Sequence, residues 1–214
     1  MREPSVTNSS RRIEFIVWGA LGLTIIVIAA AFIYKRLAPE PVPLPVIGPV
    51  GEFTLTNQHG RVISATDFRG HVWIANIIFT RCAGPCPLMT RAMKEIQDTT
   101  DKGIRLVTLT TDPDYDSPEI LRRRGEEVGA DFNRWSFLTG SKQQIARLAV
   151  DGLKLTAQEK AASERENPAD LFIHSAAFVI VDQSNNLRAA FHLDDPDLNS
   201  KVRRATRALA STAR

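Results

Sequence analysis

The sequence predicts an α/β domain behind a single membrane-spanning helix, and three observations carry that expectation. Near the start, Ile13 to Tyr34 form a 22-residue stretch of apolar, Gly or Thr residues, with Glu14 alone at its edge. Farther on, apolar runs at Val72–Phe79 and Ile104–Thr110 bracket a helix-like segment, Pro87–Thr99. This β-α-β order requires parallel strands joined by a crossover helix. Between the first run and that helix stand the chain's two cysteines, Cys82 and Cys86, a placement that points to chemistry rather than packing.

As a helix, the first stretch spans about 33 Å, enough for the hydrocarbon core of a bilayer. Ala29-Ala30-Ala31 offers a small-residue cleavage site. The run is nonetheless longer than the apolar region of a signal peptide, so an uncleaved anchor is expected over residues 13–34. Arg2, Arg11 and Arg12 precede the span, and Lys35 and Arg36 follow it. That slight bias makes residues 1–12 a short cytoplasmic N-terminus and sends the C-terminal domain to the periplasmic, exported side of the inner membrane. A cysteine pair persists as a disulfide in such a compartment. A mitochondrial inner membrane would suit the same anchor, although no Arg/Ser-rich transit segment is evident. Residues 35–47 include Pro39-Glu40-Pro41-Val42-Pro43-Leu44-Pro45 and read as an extended, proline-rich linker before a domain at 48–214. The whole chain carries 27 Lys+Arg and 24 Asp+Glu, and setting aside residues 1–36 leaves 22 of each. A domain so balanced lacks the basic excess of a nucleic-acid binder.

Within the domain, Glu52–Thr56 and Arg61–Ser64 flank the turn-forming Asn57-Gln58-His59-Gly60 and read as an N-terminal β-hairpin. After the β-α-β unit, Ser117-Pro118-Glu119 opens a helix running to about Val128, with Asp116 or Ser117 as its cap. Trp135–Leu138 is a short strand, and Ser141 caps a helix through Val150. The polar stretch Thr156 to Asp170 reads as a mobile loop. Strands Ala176–Val181 and Leu187–His192 follow, joined by a hairpin turn at Asp182–Asn186, and Asp197 to Ala210 closes the chain as a basic amphipathic helix.

The cysteines terminate a strand and open a helix, where exposed N–H groups and the helix dipole favour thiolate over thiol. Pro87 suits the first helical turn, because its missing donor is not needed there. A spacing of four puts both sulfurs on one side of that turn, within reach of a mutual disulfide or of one soft metal ion. Buried, inert cysteines are the plainer alternative. Two thiolates rarely satisfy a metal alone, and His174 is the best candidate for a third ligand. It lies 88 residues beyond Cys86, where the 156–170 loop meets the apolar strand Ala176–Val181, at an edge that parallel-sheet topology would bring beside the cysteine loop.

An ordered series of motifs then narrows these alternatives. Phe53-Thr54-Leu55 with Gly60, Asp67-Phe68-Arg69-Gly70 and Phe79-Thr80-Arg81-Cys82-Ala83-Gly84-Pro85-Cys86-Pro87 come first. Thr111-Asp112-Pro113-Asp114-Tyr115-Asp116-Ser117-Pro118, Trp135-Ser136-Phe137-Leu138-Thr139-Gly140 and Ile173-His174-Ser175 follow. Together they resemble the Sco/SenC family of membrane-anchored copper-delivery proteins over nearly the whole soluble part. The resemblance implies a thioredoxin-like domain in which Cys82, Cys86 and His174 bind a single copper ion, as Cu(I) and also as Cu(II). It further implies a role in assembling the copper A centre of cytochrome c oxidase, with the oxidase's copper-bearing subunit as partner and an upstream copper donor. The protein would then be a metallochaperone rather than an enzyme.

Three departures from the family pattern stand out. Asp182-Gln183-Ser184-Asn185-Asn186 lacks the family's Asp-Pro and glycine and puts the last hairpin's geometry in question. Ala83-Gly84-Pro85 is an unusually small spacer, and Arg81 adds positive charge expected to favour the thiolates. Asp112 and Asp116 resemble acidic residues near the family's metal site, while an ordinary turn and a helix cap explain them equally well. Met89 and Met93, at i, i+4, read as core rather than as thioether ligands, and His59, His71 and His192 as structural or solvated. A thiol–disulfide reductase, in which Cys82 attacks and Cys86 resolves, and a copper or redox sensor are the competing functions. Against the reductase, the spacing is Cys-x-x-x-Cys where general oxidoreductases use Cys-x-x-Cys.

Overall fold

The computed structural model describes residues 8–37, 44–161, 163 and 172–211. The chain divides into two units, Met1–Val42 and Pro43–Arg214. The first contains helix α1, Asn8–Leu37, which begins before and ends after the apolar stretch. Its segment Ile13–Ala30 has a mean hydropathy of 2.3 and none of it is buried by protein. Phe15, Trp18 and Ile26 stand exposed along it, and the helix is long and apolar enough to cross a membrane.

The second unit is built on an eight-stranded mixed sheet. Its strands are β1 (Gly48–Pro49), β2 (Thr54–Asn57), β3 (Val62–Ser64), β4 (Trp73–Ile78), β5 (Arg105–Thr110), β6 (Trp135–Thr139), β9 (Ala177–Val181) and β10 (Asn186–His192). They lie in the order β1-β10-β9-β4-β5-β6-β2-β3. The middle trio β4, β5 and β6 is parallel, as the β-α-β order requires. Strands β2 and β3 form the expected N-terminal hairpin. A separate two-stranded sheet pairs β7 (Ala157–Glu159) with β8 (Phe172–His174).

Strand β4 is buried along its whole length because both faces are covered. Trp73, Ala75 and Ile77 enter one core with the α4 region (helix α4, Lys142–Ala146) through Ile145, Leu148 and Leu153. Ile74 and Ile78 enter the other. There they meet Met89, Met93 and Ile96 of α2 (Cys86–Thr99), Leu121 of α3 (Pro118–Glu127) and Val202 of α5 (Leu198–Ser211). Met89 and Met93 are fully buried and serve as core, in line with the reading of their spacing.

Several details depart from the sequence-based expectation. Ser117 alone caps α3, accepting from the Ile120 N–H at 3.4 Å, while Asp116 turns inward. The helix opened by Ser141 passes at Ala146 into a π turn, Arg147–Gly152. At Gly152 a Cβ would come within 2.5 Å of the Val50 carbonyl oxygen, so the segment must press its backbone against β1's neighbour. Lys35–Leu37 of the expected linker continue α1. At the linker's other end, Ile47 N–H donates to the Leu187 oxygen at 2.8 Å and Arg188 grips Pro45 and Leu44 carbonyls; residues 38–43 lie outside the described set. The 156–170 stretch opens as strand β7 rather than loop, and residues 164–170 likewise lie outside the described set. The final hairpin closes without the family's glycine. Asn185 takes the left-handed conformation at φ 59°, which Asn tolerates, and Asp182 Oδ1 accepts the Ser184 and Asn186 N–H groups at 2.9 Å each.

Truncating a fully buried side chain between α2 and the sheet removes transfer energy and leaves a cavity. Met93→Ala is therefore expected to lower unfolding free energy by about 2–5 kcal/mol, read as a shift of the urea midpoint at unchanged slope.

Candidate metal centre

Parallel strands deliver their following loops to one edge. Ile78 of β4 pairs with Thr110 of β5, so the cysteine loop and the 111–117 loop leave the sheet side by side, at the carboxyl ends where open α/β sheets hold ligands. Strand β9 runs antiparallel to β4, with Ala75 opposite Val179 and Trp73 opposite Val181. Its first residues consequently lie at the end where β4 finishes. That antiparallel pairing, not a parallel one, brings the chain following His174 to the cysteine edge.

The loop turns tightly. Cys82 N–H donates to the Phe79 oxygen at 3.3 Å, and Gly84 N–H donates to Cys82 Sγ at 3.3 Å. Pro85 precedes α2, Pro87 occupies its first turn, and Cys86 is the first helical residue. Neither cysteine is in a disulfide. Cys82 is half-buried and Cys86 is 2% exposed. The Cys82 side chain lies close enough to act on the Cys86 thiol, the closeness expected from the spacing.

The electrostatics of the pair differ from the sequence-based expectation. Burial pushes the Cys86 thiol far above its ordinary range, and the neighbouring Cys82 adds to the rise; a backbone hydrogen bond at Phe79 and the positive charge of Arg124 oppose it. Desolvation thus outweighs the helix N-terminus, and the Cys86 side chain rests as a neutral thiol. Nor does Arg81 lend its charge freely to the sulfurs. Its guanidinium binds Asp112 Oδ2 through Nη2 at 2.5 Å and Nε at 3.1 Å, and it lies 4.2 Å over the Tyr115 ring.

Both acidic candidates gather here. Asp112 is 4% exposed and Asp116 fully buried. Asp116 accepts the Thr80 N–H at 3.1 Å and the Thr110 hydroxyl at 2.5 Å, together with a short bond from the Thr80 hydroxyl. It thereby joins the start of the cysteine loop to the end of β5. Burial raises its carboxyl above the ordinary range despite these donors, and the nearby Asp112 charge adds to the rise. Sequence reasoning had no role for Thr80, Thr110 or Tyr115; the Phe79–Pro87 motif contained Thr80, the Thr111–Pro118 motif contained Tyr115, and Thr110 stood just before it.

His174 ends β8, its backbone paired with Ala157, and its side chain lies outside the described set. Two residues earlier, Phe172 packs against Phe79 with ring centroids 5.1 Å apart at 64°. The same apolar cluster includes Cys82 and Cys86. Among the described residues no three His, Cys, Asp or Glu side chains converge as a metal-binding group. His59 instead meets the edge of Phe132 at 5.1 Å.

A mixed α/β sheet with a close cysteine pair where a central parallel strand becomes a helix defines a thioredoxin-like protein. The SCO1/SenC family model matches residues 48–210, and the chain belongs to that family. It is 32% identical over 136 residues to the SCO1 protein homolog of Bacillus subtilis (strain 168), covering 62% of this chain and 67% of that one. BsSco is a member of the Sco family of cytochrome c oxidase assembly proteins in which a disulfide switch has been identified. Its structure aligns with a TM-score of 0.68 at 26% identity, over 81% of this chain and all of that one. Bradyrhizobium japonicum ScoI, solved with copper bound, shares the fold at a TM-score of 0.62 and 17% identity, over 76% and 99% of the two chains.

A buried acid with a raised native pKa stabilises the fold at or below its unfolded value of 3.8, and that contribution is lost as pH rises through the native value. Replacing Asp116 with Asn removes this titration. The stability of Asp116→Asn relative to wild type is accordingly expected to rise between pH 4 and pH 7, measured by urea unfolding. A constant or falling difference would show that the Asp116 pKa is not raised.

Proposed function

We propose that this chain is a membrane-anchored copper metallochaperone that binds one copper ion through Cys82, Cys86 and His174. The observation that carries this reading is a pair of cysteines outside any disulfide, one half-buried and one buried, on the edge toward which β9 begins. Paired sulfurs are soft donors suited to Cu(I), and an imidazole extends the set toward Cu(II). The third ligand is supported by the placement of β8: position 174 ends a strand whose Phe172 packs against Phe79, the residue from which the cysteine loop turns.

Copper is cargo on this reading. Its arrival displaces the proton that burial keeps on Cys86, so affinity rises with pH. Cys82, the more accessible sulfur, meets an incoming donor or the thiolates of an acceptor first, and Cys86 holds the ion from within. The acceptor is the copper-bearing subunit of cytochrome c oxidase, in line with the assembly role of BsSco. Asp112 and Asp116 act on the loop's position rather than on the ion. Helix α1 holds the domain on the exported face of the membrane. A redox activity is favoured by the spacing of the pair on one turn beside the outer Cys82: closure into a disulfide would release the ion and leave the protein able to exchange disulfides with a partner.

Anaerobic titration of the full chain in detergent against a chromophoric Cu(I) chelator is expected to give one copper per chain. Cys82→Ser or Cys86→Ser should abolish tight binding, and His174→Ala should weaken it by at least ten-fold. No binding by wild type would overturn the copper reading; binding unaffected by His174→Ala would remove the histidine from it.

For the anchor, the protein in isolated membranes is expected to resist carbonate extraction, and protease added to the exported side should degrade the domain but spare residues 1–12. Release by carbonate would contradict it.

A further inference from the structure

A two-stranded hairpin is marginal in water and needs packing to hold its place. The β7–β8 pair stands apart from the eight-stranded sheet. Its base is secured where Thr156 N–H donates to Ser175 Oγ at 2.7 Å and Ser175 N–H to the Thr156 oxygen at 3.1 Å, next to the buried Leu155. Farther along, Gln158 is exposed. Phe172 is the described side chain that turns back onto the body of the domain, edge to face against Phe79. Phe79 is itself 2% exposed, directly follows β4, and receives the Cys82 N–H on its carbonyl at 3.3 Å. One aromatic contact therefore joins the strand bearing position 174 to the residue from which the cysteine loop turns.

We propose that Phe172 is a positioning residue for the copper site: its contact with Phe79 docks β8 so that position 174 is held beside the cysteine pair. This inference rests on the three-ligand reading above. Edge-to-face rings restrict both distance and tilt, so the contact sets the hairpin's place as well as its stability. With the ring removed, the hairpin keeps its base at Thr156 and Ser175 but is free to swing about it, and position 174, next to that base, is no longer held in register with the two sulfurs.

The test is a double-mutant cycle on the full chain in detergent, with Cu(I) affinity read by chelator competition and nitrogen hyperfine coupling read by electron paramagnetic resonance of the Cu(II) form. Phe172→Ala is expected to weaken Cu(I) binding about ten-fold, the scale of one well-packed aromatic contact, and to diminish the nitrogen coupling. In a His174→Ala background it should do nothing further. Phe172→Tyr should restore both signals, while Phe172→Leu, which keeps apolar bulk, should lose affinity in the same direction if the alanine variant fails to fold. Equal losses in the wild-type and His174→Ala backgrounds would overturn the proposal, because Phe172 would then act on general stability. An unchanged Phe172→Ala beside a weakened His174→Ala would overturn it and leave the three-ligand reading standing; no effect of His174→Ala would overturn both.

Discussion

A buried carboxyl with no positive partner among the described residues holds the site together. Asp116 is fully buried and accepts from Thr80 at the mouth of the cysteine loop and from Thr110 at the end of β5, just ahead of the residue that caps α3. Three chain segments meet at one side chain, and each supplies what a buried polar group needs. Removing the carboxyl would leave the Thr80 N–H without its partner at the point where the loop departs from the sheet. The Arg81–Asp112 pair repeats the tie one residue farther on, at the surface, where solvent screens it and the half-exposed arginine adds less.

That tie matters because of what the loop carries. A strand buried on both faces ends in rigid surroundings, and Phe79, Cys82 and Cys86 belong to the same apolar cluster as Ile78 and Met89. The pair is consequently asymmetric. Gly84 folds its N–H onto Cys82 Sγ at 3.3 Å, and even a Cβ at that glycine would stand 3.7 Å from the sulfur, so the spacer closes around the outer thiol. The inner thiol is desolvated enough to stay protonated. An ion or an oxidant must therefore engage the outer sulfur before the inner one.

Legibility in the sequence followed the range of the forces involved. Alternation and turn residues located the β2–β3 hairpin and β9–β10, and the apolar runs located β4, α2 and β5, because these signals are local. Asp116 and Ser117 are indistinguishable as caps by pattern; a threonine 36 residues earlier decides between them. Desolvation of Cys86 depends on helices and strands packed around it, so the local helix N-terminus pointed to the wrong protonation state. Arg81 misled for the same reason, its charge being claimed by a carboxylate 31 residues away. Strands β1, β7 and β8 have two or three residues each, too few for any period to show. The cysteine pair was plain from its spacing and flanking prolines, whereas the antiparallel β9–β4 register that brings the other end of the chain to it was not.

The register also explains why a residue as distant in sequence as His174 comes to this edge. An antiparallel strand added beside β4 starts where β4 stops, so whatever precedes β9 is carried to the cysteine loop without a dedicated connection. In this chain what precedes it is a hairpin outside the main sheet, free of the ladder that fixes β4 and β5. The two sulfurs are thus set by the core, and the third position is set by a smaller element with its own, weaker attachment. On the proposed three-ligand reading, such a site would separate holding from release: the sulfur pair persists with the fold, while the hairpin's docking is a lesser free energy that a partner's surface is able to outcompete.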